Sequence, residues 1–148
     1  MESKSFSIVR ANFGRQSSTT VTLTYDARFL RRKTLTTDAG EPFLVDLPQT
    51  TSLNHGDAFE LTDGRLIAVI AADEPLLEVT GDTLTPLAWH IGNRHTPCQI
   101  ELNRLLIQRD PVIRDMLEKL GATVREVTEP FTPEGGAYGH GRTHAHAH

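Results

Sequence analysis

The sequence predicts an α+β protein with a small antiparallel β domain, then a ferredoxin-like βαββαβ domain, then a disordered histidine-rich tail. Short alternating strands and turn residues fill about the first seventy positions, and strand and helix patterns alternate over about the next sixty. Four of the seven histidines lie in the last nine residues, after a segment rich in proline, glycine and alanine. The predicted domains are 1–73, 74–131 and 132–148.

The N-terminal elements are predicted from their period-two alternation. Residues 21–25 alternate apolar side chains with threonines, and residues 43–47 repeat that spacing before Pro48 ends the strand. Residues 58–61 and 65–71 are expected to form a hairpin, because the Asp-Gly pair between them is a strong turn signal.

The second half is predicted to alternate strands and helices. Its clearest helix begins after Asp110, a favourable N-cap, with Pro111 at the first helical position, and it ends before Gly121. The other elements are a helix over 84–94 and strands over residues 76–80, 99–102, 105–108 and 122–127. This order is typical of a ferredoxin-like fold.

Composition excludes several classes of function. The net charge of −4 argues against a nucleic-acid-binding protein, which would carry a basic surface. No apolar run approaches the ~18 residues of a membrane span, and the first residues lack an apolar signal region. The lone Cys98 suits a reducing compartment. We therefore expect a cytoplasmic protein that binds neither nucleic acid nor membranes.

The tail is the first candidate metal-binding feature. Neutral imidazole is a good ligand for nickel, copper, zinc and cobalt, and several on one flexible chain can wrap an ion without a preformed site. Without that preorganisation, affinity should be moderate and selectivity poor. The alternatives are a purification tag or a chance bias, although a tag is usually an uninterrupted histidine run. The tail histidines are His140, His144, His146 and His148.

A second candidate is the segment WHIGNRHTP at residues 89–97, where the predicted first helix of the second domain runs into a strand. His90 and His95 are five residues apart, so a regular helix would not place them on one face. Spacing alone therefore does not make a chelating pair, and a single histidine is more often a structural residue than a ligand.

The sequence resembles the UreE family of urease accessory proteins, which are nickel metallochaperones. The resemblance rests on GNRH at residues 92–95, preceded by His90 and followed by Pro97, and on LNHGD at residues 53–57 in the β-rich half. The βαββαβ half resembles the metal-binding domain of the family, and the histidine-rich end resembles its variable tail.

The resemblance implies a homodimeric carrier that delivers Ni(II) during urease maturation and is not an enzyme. It makes His95 the central nickel ligand, brought to a two-fold axis by pairing of the C-terminal domains. It leaves open whether His90 binds metal or packs near the site. Tail histidines could complete the ligand shell, and Zn(II) or Cu(II) could also bind in vitro. An accessory GTPase and the urease maturation complex are the implied partners.

Other functions remain open at the level of sequence. A general divalent-metal store or buffer would act through the tail alone. A metal-dependent hydrolase would need three fixed ligands, an open position and a general base, and no His-Glu-x-x-His pattern occurs. An RNA-binding role would need paired aromatic residues on the strands of the second domain, which the predicted strands lack.

Three smaller features receive structural interpretations. Cys98 is expected to be a buried small residue, and His55 a residue of a surface loop. The basic cluster is expected to be a solvated strand face or a docking site for an acidic partner; it comprises Arg28, Arg31, Arg32 and Lys33.

Overall fold

The computed structural model describes residues 2–11 and 14–135. The chain divides into two compact units, Met1–Ala72 and Asp73–His148, and the predicted boundary falls one residue later. Within the described residues there are ten strands and two α-helices, so the α+β class is confirmed. The four tail histidines lie outside the described residues.

The first unit is a six-stranded sheet with the order β2-β6-β5-β1-β4-β3. The β1–β4 and β2–β6 pairs are parallel, so the prediction of an antiparallel domain is wrong in this respect and the sheet is mixed. Alternation predicts a strand but not the direction of its partner, and the parallel partners here are distant in sequence. The strands are β1 Ser3–Val9, β2 Thr19–Leu23, β3 Phe29–Thr36, β4 Pro42–Ser52, β5 Ala58–Leu61 and β6 Leu66–Ala71.

Strand β4 shows why the predicted strand end at Pro48 is wrong. The alternating side chains Phe43 and Val45 are fully buried, as predicted, but the strand continues to Ser52. Opposite β3, the register jumps from Thr51 to Asp46, so Pro48 lies in an irregular stretch of the ladder. A proline is tolerated there because no ladder hydrogen bond requires its missing N–H.

Strand β1 and the bounds of β3 were not predicted, because neither strand alternates cleanly, although Arg31, Arg32 and Lys33 lie on an exposed strand face as expected. Ser5 of β1 is buried while Phe6 is half exposed, and the centre of β3 is a run of exposed polar residues. Arg28, just before β3, is not on a solvated face, since only 2% of it is exposed. Its guanidinium donates to the carbonyls of Leu23 and Leu53 over 3.0 and 3.2 Å, and these hydrogen bonds make its burial tolerable.

The LNHGD segment is organised around the buried carboxylate of Asp57. This carboxylate accepts hydrogen bonds from the backbone N–H groups of Ala11 and Asn54, each at 2.8 Å, and forms an ion pair with Arg10 at 2.9 Å. A buried carboxylate is stable only when its oxygens are satisfied in this way. Asp57 therefore joins the end of β1 to the connection between β4 and β5.

The second unit has the predicted order βαββαβ and an antiparallel sheet with the strand order β10-β7-β9-β8. One face of the sheet packs against both helices around Leu77, Ile91 and Leu117. No helix among the described residues is long and apolar enough to cross a membrane. The elements are β7 Asp73–Thr80, α1 Leu84–Asn93, β8 Gln99–Ile100, β9 Leu105–Gln108, α2 Pro111–Lys119 and β10 Thr123–Pro130.

Helix α2 begins and ends as its sequence predicts. The side chain of Asp110 accepts hydrogen bonds from the N–H groups of Val112 and Ile113, and Pro111 occupies the first turn. Gly121 has φ +93°. Its N–H donates to Glu118, and the N–H of Ala122 donates to Leu117. This pair of bonds is a Schellman motif, which glycine favours because it has no Cβ to oppose the left-handed conformation.

A charged network holds the two edge regions of this sheet together. The guanidinium of Arg104 contacts carboxylate oxygens of Glu78, Glu101 and Glu129 over 3.0, 3.0 and 2.7 Å. Burial acts to raise the pKa of Glu78, but hydrogen bonds from Arg104 and Arg125 outweigh it, and the pKa lies below its ordinary value. The hydrogen bonds from Arg104 likewise lower the pKa of Glu129.

We expect Arg104→Met to lower the free energy of unfolding by about 2 kcal/mol at neutral pH, because it removes hydrogen bonds between charged groups. Both glutamate pKa values are lowered in the folded protein. Their contribution is therefore present above the ordinary pKa of about 4.3 and is lost as pH falls through the lowered values. Urea unfolding at several pH values should show the difference between wild type and variant shrinking in acid.

Lys119→Leu is the matched control, because the Lys119–Asp115 pair is largely exposed, with 76% and 63% of the two side chains accessible. Its removal should leave the free energy of unfolding nearly unchanged. An Arg104→Met variant that is no less stable than Lys119→Leu would contradict a stabilising role for the network.

Candidate metal centre

His95 lies immediately beyond the end of α1, in a backbone conformation that is uncommon for histidine. Helix α1 ends at Asn93, and Arg94 is its C-cap. His95 follows with φ +59°, in the left-handed region. Its N–H donates to the carbonyl of Gly92 over 2.9 Å, and the N–H of Thr96 donates to Ile91 over 3.3 Å. These two bonds are again a Schellman motif.

The two helices of this unit therefore end in the same way with different residues. At α2 the left-handed position is Gly121, whereas at α1 it is His95, the one non-glycine residue with positive φ among the described residues. The left-handed conformation costs roughly 1–2 kcal/mol for a residue with a Cβ. Such conformations concentrate at functional sites, where the surrounding structure maintains them.

The helix end also gives His95 a favourable setting for a cation. The residue is exposed, so its imidazole is accessible from solvent. The C-terminal end of a helix carries a partial negative charge from its last carbonyl groups, and this charge stabilises nearby cations. A metal ion bound at His95 would lie at that end of α1.

His90 has a different environment. It is half buried in α1, and its ring meets that of Trp89 edge to face, with the ring centroids 5.1 Å apart. It also lines a surface groove of about 270 Å³ together with Pro86, Leu87 and Leu120. His90 thus makes packing contacts within its own unit, and whether it binds metal stays a prediction.

Within the part of the chain that the structure describes, the predicted ligands do not form a ready-made site. Among residues 2–11 and 14–135, no group of three or more histidine, cysteine, aspartate or glutamate side chains could hold a metal ion. The described part of one chain therefore provides no group of three such side chains for a closed coordination sphere at His95. The tail histidines His140, His144, His146 and His148 lie outside that part.

The remaining sequence candidates have structural roles. Cys98 is 9% exposed, and burial, together with the nearby charge of Glu134, raises the pKa of its thiol to about 11. It is therefore a thiol at neutral pH, which is a poor metal ligand. His55 is exposed in its loop, as predicted, and its Nδ1 accepts the N–H of Ala71 over 3.1 Å.

The segment after β10 is a feature that sequence reasoning missed. Phe131 is fully buried, the N–H of Thr132 donates to Oε1 of Gln99 over 2.8 Å, and the N–H of Glu134 donates to the carbonyl of Cys98 over 2.9 Å. The chain thus passes from β10, at one edge of the sheet, to β8 at the opposite edge. The one sequence signal was Phe131, the last core-forming residue before the tail.

Two protein-family models match the chain. The model described as UreE urease accessory protein, N-terminal domain, matches residues 8–72, and the model described as UreE urease accessory protein, C-terminal domain, matches residues 74–148. The junction between the matches lies beside the boundary between the two compact units.

Comparisons with individual proteins also match this chain to urease accessory proteins UreE. A urease accessory protein UreE of Ruegeria pomeroyi is 77% identical over 128 residues, which cover 86% of each chain. A UreE of another Ruegeria species is 71% identical over 84% of this chain and 70% of the relative. A UreE of a Chelativorans species is 51% identical over 95% of this chain and 94% of the relative.

The left-handed conformation at the end of α1 leads to a prediction about stability. We expect His95→Gly to be more stable to unfolding than His95→Ala by about 1 kcal/mol, because glycine relieves the left-handed strain. Both variants lack the imidazole, so any contact that it makes is lost equally. Urea denaturation of the two variants measures the difference.

Gly121→Ala provides the matched test at the end of α2. No atom lies within 4 Å of an added Cβ there, so the substitution changes backbone strain without a steric clash. It should destabilise the chain by about 1 kcal/mol. If His95→Ala proved as stable as His95→Gly while Gly121→Ala was destabilising, the left-handed conformation of His95 would be disproved.

Proposed function

The chain belongs to the UreE family of urease accessory proteins, and from this membership we propose that it is a nickel metallochaperone. It serves urease maturation and is not itself an enzyme. The observation that carries the nickel-binding proposal is the exposed His95 at the end of α1, with no closed ligand set around it in the described residues. A carrier must release its ion, and an incomplete, accessible site permits release, whereas a closed four-ligand site retains its metal.

A homodimer would supply the ligands that one chain lacks. A two-fold axis near His95 duplicates every ligand, so two chains would offer two imidazoles at one point on their shared surface. Trp89, on the same helix, is 63% exposed, which is unusual for so large an aromatic side chain and suits a residue covered by a second copy. We propose that the two chains pair through this unit.

The tail histidines would complete the shell of the same ion. Glu134 is bonded to Cys98, which is three residues from His95 and therefore within about 11 Å of it. His140 is six positions beyond Glu134 in the sequence, and six fully extended steps of the chain span about 20 Å. The covalent chain is thus long enough for His140 and the later His144, His146 and His148 to reach His95. His90 would support the helix that carries the site and would not bind the metal.

Several finer properties follow from family membership and chemistry. The order of the elements in the second unit and the pairing of its strands support a ferredoxin-like fold for that unit. The expected partners are an accessory GTPase and the urease maturation complex, in the cytoplasm. Ni(II) is the cargo, and Zn(II) and Cu(II) should also bind in vitro because imidazole accepts all three ions. Binding should weaken in acid, because a protonated imidazole cannot bind a metal ion.

The nickel site is tested by calorimetric titration of the full chain and three full-length variants. We expect about one nickel ion per two chains at the symmetric site, and at least a tenfold loss of affinity for that site in His95→Ala. A variant with all four tail histidines replaced by alanine should keep the site with lower affinity. His55→Ala is the control, since His55 lies in the other unit and should not affect titration.

The same titration separates the carrier from a general metal store. A store acting through its tail would lose all nickel binding when the four tail histidines are replaced, and it would be unaffected by His95→Ala. That pair of results would overturn the proposed function.

Dimer formation is tested with the single tryptophan of the chain, Trp89. Sedimentation at increasing protein concentration should show the mass rising from one chain to two. If the second unit pairs through the surface that carries Trp89, the fluorescence emission of Trp89 should shift to the blue over the same range of concentration. The reason is that burial removes water from around the indole. A chain that stays monomeric at concentrations where nickel binds would rule out the symmetric site, and a dimer with unshifted emission would place Trp89 outside the interface.

A further inference from the structure

Arg94 lies between the last residue of α1 and His95, and its side chain has an unusual partner. It is the C-cap of the helix and is exposed. Its Nε donates to Sδ of Met116, a half-buried residue of α2, over 3.4 Å. A guanidinium carries N–H donors on all of its nitrogen atoms, whereas a thioether sulfur is only a weak acceptor. The contact uses the Nε donor, and the donors on both Nη atoms remain available to another molecule.

The other arginines that the structure describes have stronger acceptors. Nine of the eleven form an ion pair with a carboxylate. Arg28 is buried and donates to backbone carbonyl groups. Among residues 2–11 and 14–135, the side chain of Arg94 has neither a carboxylate nor a backbone carbonyl as its acceptor. No ion pair within that part of the chain therefore neutralises its positive charge.

The rest of the second unit makes this cation distinctive. Residues 73–135 carry eleven acidic and six basic side chains, a net charge of −5, and a surface of that sign repels anions. The acidic residues of α2 nearest to Met116 in the sequence, Asp115 and Glu118, already have cationic partners. An anion that approaches the end of α1 would therefore meet Arg94 as a cation still able to pair with it.

The anion that best fits this cation is a carboxylate. A planar guanidinium binds a carboxylate through two parallel N–H···O bonds. The Cα atoms of Arg94 and His95 are about 3.8 Å apart, because the two residues are consecutive. Nitrogen and oxygen ligands both suit Ni(II). A molecule with several carboxylates could thus place one at Arg94 and offer the others to an ion at His95.

Transfer of the ion to such a molecule is a ligand exchange. A carboxylate oxygen of the acceptor donates an electron pair to Ni(II) as the bond from the neutral imidazole nitrogen breaks, and the oxidation state of the metal does not change. An acceptor that is already bound nearby has a high effective concentration at the ion, so the exchange is faster. Arg94 itself does not bind the ion, because both are positively charged.

We propose that Arg94 binds a carboxylate group of the molecule that takes the metal ion from His95, and thereby directs transfer towards acidic acceptors. Its contact with Met116 holds the guanidinium at the end of α1. This inference rests on the proposed function, because it requires a metal ion at His95.

The test compares nickel transfer from the full-length protein to two chelators. Nitrilotriacetate is anionic and carries carboxylates, whereas phenanthroline is uncharged. The measured quantity is the ratio of the two transfer rates, because a change in how tightly the protein holds nickel affects both acceptors. We expect Arg94→Met to lower this ratio about threefold to fivefold, as for the loss of one exposed charged pair. About 1 M salt should remove most of the difference by screening.

Two further variants make the result specific. Arg94→Lys keeps the charge without the paired donors, so it should recover less than half of the lost ratio. Arg32→Met removes the same charge from an arginine of the first unit whose side chain is 59% accessible, and it should leave the ratio unchanged. Circular dichroism checks that each variant is folded.

The outcomes separate this proposal from the one on which it rests. A ratio that Arg94→Met leaves unchanged, or that Arg94→Lys fully restores, would overturn carboxylate binding by the paired donors of Arg94. A ratio that still responds to Arg94→Met in a His95→Ala background would also overturn it. Each of these results leaves the carrier function intact. If His95→Ala itself leaves nickel affinity unchanged, the proposed function fails, and the role of Arg94 fails with it.

Discussion

The way α1 ends is the constraint on which the candidate site depends. Two backbone hydrogen bonds close the helix only if residue 95 adopts the left-handed conformation, and the residue there is a histidine. The same turn exposes the imidazole at the carbonyl end of the helix and directs the chain into β8. A regular continuation of α1 would have placed residue 95 on the helix surface. The left-handed turn instead ends the helix, so His95 lies beyond its last residue, Asn93.

Much of the second unit could be predicted from sequence because its signals are local. Asp110, Pro111 and Gly121 each act within one turn of α2, and each has its predicted role in the structure. The first unit was harder, since the parallel pairing of β1 with β4 depends on contacts between distant residues. Pro48 was misleading for the same reason, because whether a strand accommodates a proline depends on the register of its partner strand.

In the candidate site, too, local sequence patterns indicate some features, whereas other features depend on contacts between distant residues. His95 became a candidate ligand because the tetrapeptide GNRH resembles the UreE family, and the family models support membership of that family. Its left-handed backbone could not be predicted, because histidine is not a usual residue at that position. The bonds from Thr132 to Gln99 and from Glu134 to Cys98 join residues more than thirty apart, and no pattern in the sequence indicates them.

The burial of Cys98 has a consequence for the chemistry of the segment around His95. Thiolates bind soft and borderline metals strongly and are the group that oxidants attack first. The only sulfhydryl of the chain is enclosed three residues from His95, and burial raises its pKa to about 11. Oxidants that attack exposed, ionised thiols should therefore leave this thiol largely unmodified, and the segment that carries His95 should keep its chemistry under oxidising conditions.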